Sequence, residues 1–239
     1  MLRQQAARDL LSNPFNTNNM GKVTKKILGA TRGKVGDVVF RKFRQMNVNS
    51  SYQPNPLNPD TKAQQLQRGI FAVMSKTATS MAKGIKVGFG YKAKGTNLSP
   101  RNWFVRTNKE WFTSNQPGIV TISYPELVMS LGRTCEADFN ALDFDDANVV
   151  GVSWTPLSTA VDTNAELHIV VVCPDNEGCL VSTAAKLSEG SVNVSTPDEW
   201  NGLKVHCYAI ETAVADHPED DIVKGQTYRS VYLGQGNIG

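Results

Sequence analysis

Residues 148–187 read NVVGVSWTPLSTAVDTNAELHIVVVCPDNEGCLVSTAAKL. Runs rich in Val, Ile and Leu at 148–156, 166–174 and 179–187 are separated by Asp162-Thr163-Asn164 and Asp175-Asn176-Glu177-Gly178. Asn, Asp and Gly turn a chain because they tolerate left-handed backbone or bond it locally, whereas β-branched residues suit a pleated strand. The rhythm extends outward to IVTISY (119–124) and EADFNALDF (136–144), then to SVNVS (191–195), LKVHCYAIETA (203–213) and TYRSVYLG (227–234). Seven or so strands at regular spacing from Gly118 onward predict a β-sandwich.

Trp154 in VSWTP and Tyr208 in VHCYAI resemble the packing pair of an Ig- or fibronectin III-like sandwich. Trp154 is expected to face the core and Tyr208 to lock a corner.

Upstream, the pattern differs. Residues 33–48, GKVGDVVFRKFRQMNV, predict two short strands, with Gly33 and Gly36 leading in. Pro54, Pro56 and Pro59 forbid helix and hold an extended path. Thr61 and Gln64 then have capping-box spacing. Leu66, Ile70, Val73, Met74, Thr77 and Met81 follow at three- and four-residue steps, the stripe of a core-facing helix. The glycine-rich GIKVGFGYKAKG (84–95) is expected to end it. Ser99-Pro100 opens a second helix carrying Trp103, Phe104, Val105 and Trp111, read as packing aromatics. The fold class is α+β, divided into an N-terminal arm (1–19), a basic α+β region (20–117) and an acidic sandwich (118–239).

Charge follows that division. Residues 1–110 hold 20 Lys and Arg against four acids, net +16; residues 111–239 hold five against 18, net −13. Two regions of opposite sign point to two different contact surfaces. No apolar run reaches the ~18 residues of a membrane span. Residues 1–19 lack an apolar leader core, so assembly in a cytosol is expected. Cys135, Cys173, Cys179 and Cys207 contain no C-x-x-C pair and read as buried, inert thiols.

The chemical motifs fail on their spacing. Gly29–Val35, GATRGKV, is one residue short of a phosphate-binding loop and has Val35 where Ser or Thr should hold Mg²⁺. Gly88–Ala93, GFGYKA, follows a helix, whereas a dinucleotide turn needs a strand before it. His168 and His206 fall within strands and read as satisfied imidazoles. His206 and Cys207 are adjacent and should point to opposite faces. The acids Asp216, Glu219, Asp220 and Asp221 lack the alternation and glycine of a calcium loop. No enzyme, cofactor or metal site is expected.

MGKV…GKVGDVV (20–39), NPDTKAQQLQRGIF (58–71), YPELVMSLG (124–132), VSWTP and SVYLG (230–234) resemble an uncharacterised family encoded by Bacteroidota and their phages. The likeness runs from about Met20 to the end, and NP-x-T-x-A-Q-x-x-Q-R is its most specific string. Residues 1–19 extend beyond that pattern. Where members often carry Trp-Lys-Gly in the hairpin, this chain has Phe40-Arg41-Lys42-Phe43. The resemblance implies a setting, the virion of a tailed phage, with a ring of the tail or neck in crAss-like phages as the specific expectation.

The expected function is therefore structural: a homo-oligomeric ring, assembled in the host cytoplasm, touching portal, ring or tail proteins and no membrane. Lys25, Lys26, Arg32, Lys34, Arg41, Lys42 and Arg44 form the expected basic interface. Leu10, Leu11 and Phe15 form the expected arm contact. The alternatives are non-specific nucleic-acid binding by the basic half, with Phe40 and Phe43 among its cations, or a surface adhesin or carbohydrate-binding sandwich.

Overall fold

The computed structural model describes residues 21–23, 32–43, 46–55, 60–144 and 146–239. Internal packing divides the chain into two units, residues 1–59 and 60–239. The chain is α+β, with helices and several antiparallel sheets.

In the first unit, β1 (Gly21–Val23), β2 (Gly33–Val35), β3 (Val38–Phe43) and β4 (Met46–Ser51) form one antiparallel sheet in the order β1-β4-β3-β2. Residues 33–48 thus contribute to three strands rather than two. Gly36 is not a lead-in: with φ +58° it opens the two-residue turn that joins β2 to β3, a conformation glycine adopts without strain. None of the side chains described in this unit is buried. The expected arm, residues 1–19, lies outside the described residues.

The second unit opens with α1 (Lys62–Ser80), α2 (Ala82–Ala93) and α3 (Pro100–Asn108). Thr61 caps α1 in a full capping box with Gln64. Ser99 caps α3, with Pro100 at its start. A hairpin follows, β5 (Phe112–Gln116) with β6 (Ile119–Ile122). Next come β7 (Ala137–Asp143), β8 (Val149–Pro156), β9 (Glu166–Cys173), β10 (Gly178–Val181), β11 (Ala185–Lys186), β12 (Ser191–Ser195), β13 (Lys204–Thr212) and β14 (Val231–Asn237). Strands β10-β9-β13-β14, with β11 also on β9, make a five-stranded sheet; β12-β8-β7 make a three-stranded one.

The helical region does not end at Met81. It bends there and continues as α2 through the glycine-rich stretch to Ala93. Gly84 and Gly88 are four residues apart, hence on one helix face. A Cβ on Gly84 would stand 2.8 Å from the Val170 side chain, and one on Gly88 would stand 2.0 Å from the Met129 carbonyl oxygen. These glycines let the helix approach its neighbours closely; they do not break it.

Two cores result, one on each face of the five-stranded sheet. Along β9, Leu167, Ile169, Val171 and Cys173 join Val150, Val152 and Trp154 of β8 and Val205, Cys207 and Ala209 of β13. The alternate residues Val170 and Val172 join Tyr208, Ile210 and the helical residues Met74, Ala78, Met81, Ile85, Phe89 and Phe104. A strand covered on both faces reads as a continuous apolar run, which is why residues 167–173 scarcely alternate.

Two expectations are corrected by this arrangement. The helices share a core with the large sheet, so the boundary between units follows Pro59 and not residue 117. Trp154 and Tyr208 are no packing pair, because they sit in different cores. Trp154 Nε1 donates to the Leu187 carbonyl at 2.8 Å, and the Tyr208 hydroxyl donates to the Tyr124 carbonyl at 2.7 Å.

Candidate functional site

The expected basic interface is only partly brought together. Lys25, Lys26 and Arg44, with the arm residues Leu10, Leu11 and Phe15, lie outside the described residues. Arg32, Lys34, Arg41 and Lys42 are all exposed. Lys34 pairs in register with Val39, and Arg41 is two residues beyond, so these two cations share a sheet face. Lys42 points to the opposite face. Lys34 Nζ lies 3.3 Å from the centroid of the Tyr52 ring, and Arg41 donates to Ser50 Oγ at 3.4 Å. Phe40 is on the Lys42 side, so the aromatics do not interleave with all the cations as the linear string suggested.

The histidines occupy three environments. His206 stacks on Tyr124 with ring centroids 4.4 Å apart, and its Nδ1 is 3.0 Å from the Tyr232 hydroxyl. Burial, with Lys204 adding to it, pushes its pKa down to about 4, so it is a neutral ring at neutral pH. Burial also lowers His168 despite Glu166 nearby. Cys207 faces the other core and is pushed up to about 12 by burial. All four cysteines are buried free thiols.

A buried acidic network was not legible beforehand. Glu211 of β13 is fully buried, and its Oε2 accepts from the Glu136 backbone N–H at 2.6 Å. Glu136 Oε2 in turn accepts from the Val161 N–H at 2.9 Å. Asp162 Oδ2 is 3.5 Å from His217 Nε2. Burial raises Glu211 to about 7, with the Glu136 N–H opposing and the Glu136 and Asp162 charges reinforcing that shift. Residues drawn from positions 135 to 228 meet here, a separation no local pattern reveals. Among the described residues no group of three or more His, Cys, Asp or Glu is arranged to hold a metal ion.

A groove of about 820 Å³ lies between α1, α3 and β5. Met74 and Phe112 are buried in its base, half-buried Ile70 and Val105 flank them, and Phe71 is 62% exposed. Arg106 and Lys109 are the exposed cations at its rim, with Glu110 beside them. The sequence signal for this groove was Phe71, a large aromatic one position off the stripe of α1.

Charge separates across the unit. Residues 60–117 hold ten Lys and Arg against two acids, net +8, and supply the helices packed on one face of the five-stranded sheet. Residues 118–239, net −13, supply the five-stranded and three-stranded sheets. Among the described residues no helix is long and apolar enough to cross a membrane.

A family model described as a family of unknown function (DUF6266) matches residues 30–227. No curated protein matches the chain.

Proposed function

This chain belongs to the DUF6266 family, and from that premise we propose that it is a structural subunit that works by assembling with copies of itself. The observation that carries the reading is the layered charge of the second unit, net +8 on the helical side and net −13 over the sheets. A subunit with opposite signs on different surfaces suits heterologous, head-to-tail contacts, which close into rings when the rotation permits. The setting of that ring, a tail or neck layer in a tailed-phage virion beside portal or tail proteins, rests on the sequence resemblance. Under this reading the two sheets form an Ig- or fibronectin III-like sandwich; their shared core around Trp154 supports it.

The test is mass by light scattering across salt. A large species is expected at low ionic strength, shrinking toward 1 M salt, where the Debye length is roughly 3 Å. A monomer of 26.1 kDa under all conditions would sink the proposal.

A second reading has its own support. Lys34, Arg41 and the 42% exposed Tyr52 share one face of the small sheet, the combination of cation and stacking ring that single-stranded nucleic acid uses. Affinity for a labelled oligonucleotide should then fall linearly on log–log axes against salt. Undetectable binding at low salt removes this alternative.

A further inference from the structure

We propose that the acidic tip at residues 218–221 of one copy docks into the basic-rimmed groove between α1, α3 and β5 of the next; this rests on the self-assembly reading and names its interface.

The groove is built to take an apolar group beneath an anion. Its base is closed by Met74 and Phe112, and Phe71 stands 62% exposed at its side. Exposed aromatics of that size at a concave surface mark contact sites more often than isolated surface residues do. Arg106 and Lys109 have no carboxylate partner among the described residues. Arg106 only overlies the Trp103 ring, 5.4 Å from its centroid. Glu110 leaves the rim with a net charge of +1.

The tip supplies the complement. Residues 216–224, DHPEDDIVK, carry four acids against one lysine. The tip is held rigidly. The His217 and Ile222 backbones pair, Asp221 closes the turn at φ +57°, and Arg133 binds the Asp220 carbonyl. Asp216 already serves the Lys224 N–H at 2.7 Å, and Glu219 lies 3.7 Å from His217. Asp220 and Asp221 have no side-chain cation among the described residues. Beside them Val223 is 48% exposed, while its neighbour Ile222 is buried. Two unpaired cations over an apolar base face two unpaired anions beside an exposed valine. A pre-ordered tip loses little conformational entropy on docking. The two patches differ, so the contact is heterologous and propagates from copy to copy.

Charge reversal in both partners tests this. The groove variant is Arg106→Glu with Lys109→Glu; the tip variant is Glu219→Lys with Asp220→Lys, which leaves the left-handed Asp221 untouched. Each alone should weaken self-association of the full chain by roughly tenfold or more, as loss of close charge pairs at an interface does. Mixed in equal amounts they should regain it, because each carries the complement of the other and copies can alternate. Recovery on mixing also shows that both variants fold. If the parent assembles and both variants assemble equally well, the docking is wrong while self-assembly stands. If both variants lose assembly and mixing restores nothing, the groove and the tip do not meet. If the parent is monomeric throughout, docking and self-assembly fail together.

Discussion

Gly88 of α2 lies so close to Met129 that a Cβ on it would stand 2.0 Å from the Met129 carbonyl oxygen. Rotation of a side chain cannot relieve this contact, because the obstacle is backbone. Gly88→Ala must therefore push α2 away from the chain beneath it. The expected loss is about 1–3 kcal/mol or more, the range for overpacked interiors. Gly90, two residues on, has nothing within 4 Å of the same position. Gly90→Ala should be neutral or stabilise by roughly 0.5–1 kcal/mol through helix propensity. Thermal melts of the two variants check the contrast.

The buried acids predict a slope of stability against pH. Glu211 titrates at about 7 in the fold, above the 4.5 of a free glutamate. Between those values the folded chain holds a proton that the unfolded chain has released. Stability is therefore highest below the unfolded value and falls as pH rises to about 7. Glu211→Gln keeps an acceptor for the Glu136 N–H and removes the titration. It should flatten the profile and stabilise the protein at pH 8 by about 1–3 kcal/mol. Denaturant midpoints at pH 5 and pH 8 measure this, and an unchanged slope would exclude Glu211 as its source.

The thiols should be silent in the native state. Cys173 and Cys207 are fully buried, Cys135 and Cys179 nearly so, and burial raises the pKa of Cys135, Cys179 and Cys207. A thiolate is the reactive form, so both access and chemistry are withheld. A chromogenic disulfide reagent at pH 8 should report no fast thiol in native protein and four after denaturation. A fast native thiol would show that one core opens readily.

Tyr208 ties β13 to the segment beneath the helices through its bond to the Tyr124 carbonyl at 2.7 Å. Tyr208→Phe preserves the ring and strips the donor. A loss of about 1–2 kcal/mol is expected, the usual effect of a buried acceptor left without its partner. Because the Tyr124 ring stacks on His206, the imidazole resonances should shift in the same variant.

What could be read in the chain was local. The capping box at Thr61, the Ser99-Pro100 helix start and most of the strands depend on neighbours within a few positions, and they appear where expected. TYRSVYLG was displaced, since β14 begins only at Val231 and extends to Asn237. Helix α2 was missed because glycine signals either a break or close packing, and only the packing partner decides between them. The boundary after residue 59 was missed for a similar reason: the strand pattern begins at Gly118, but the helices before it pack into one core with those strands. The groove and the acidic network draw on residues far apart in sequence, which no periodicity relates.

The double-sided burial of β9 carries a consequence for synthesis. Helices α1 and α2 leave the ribosome well before the strands they pack on: much of the floor beneath Met74, Met81, Ile85 and Phe89 comes from β9 and from β13, which ends at Thr212. For more than a hundred residues of elongation beyond Phe89 that floor is incomplete. Unprotected apolar surface of this kind is what holdase chaperones bind and what aggregates in crowded extracts. Nascent chains arrested before residue 204 should therefore recruit chaperone, and those extended past the end of β14 at Asn237 should shed it.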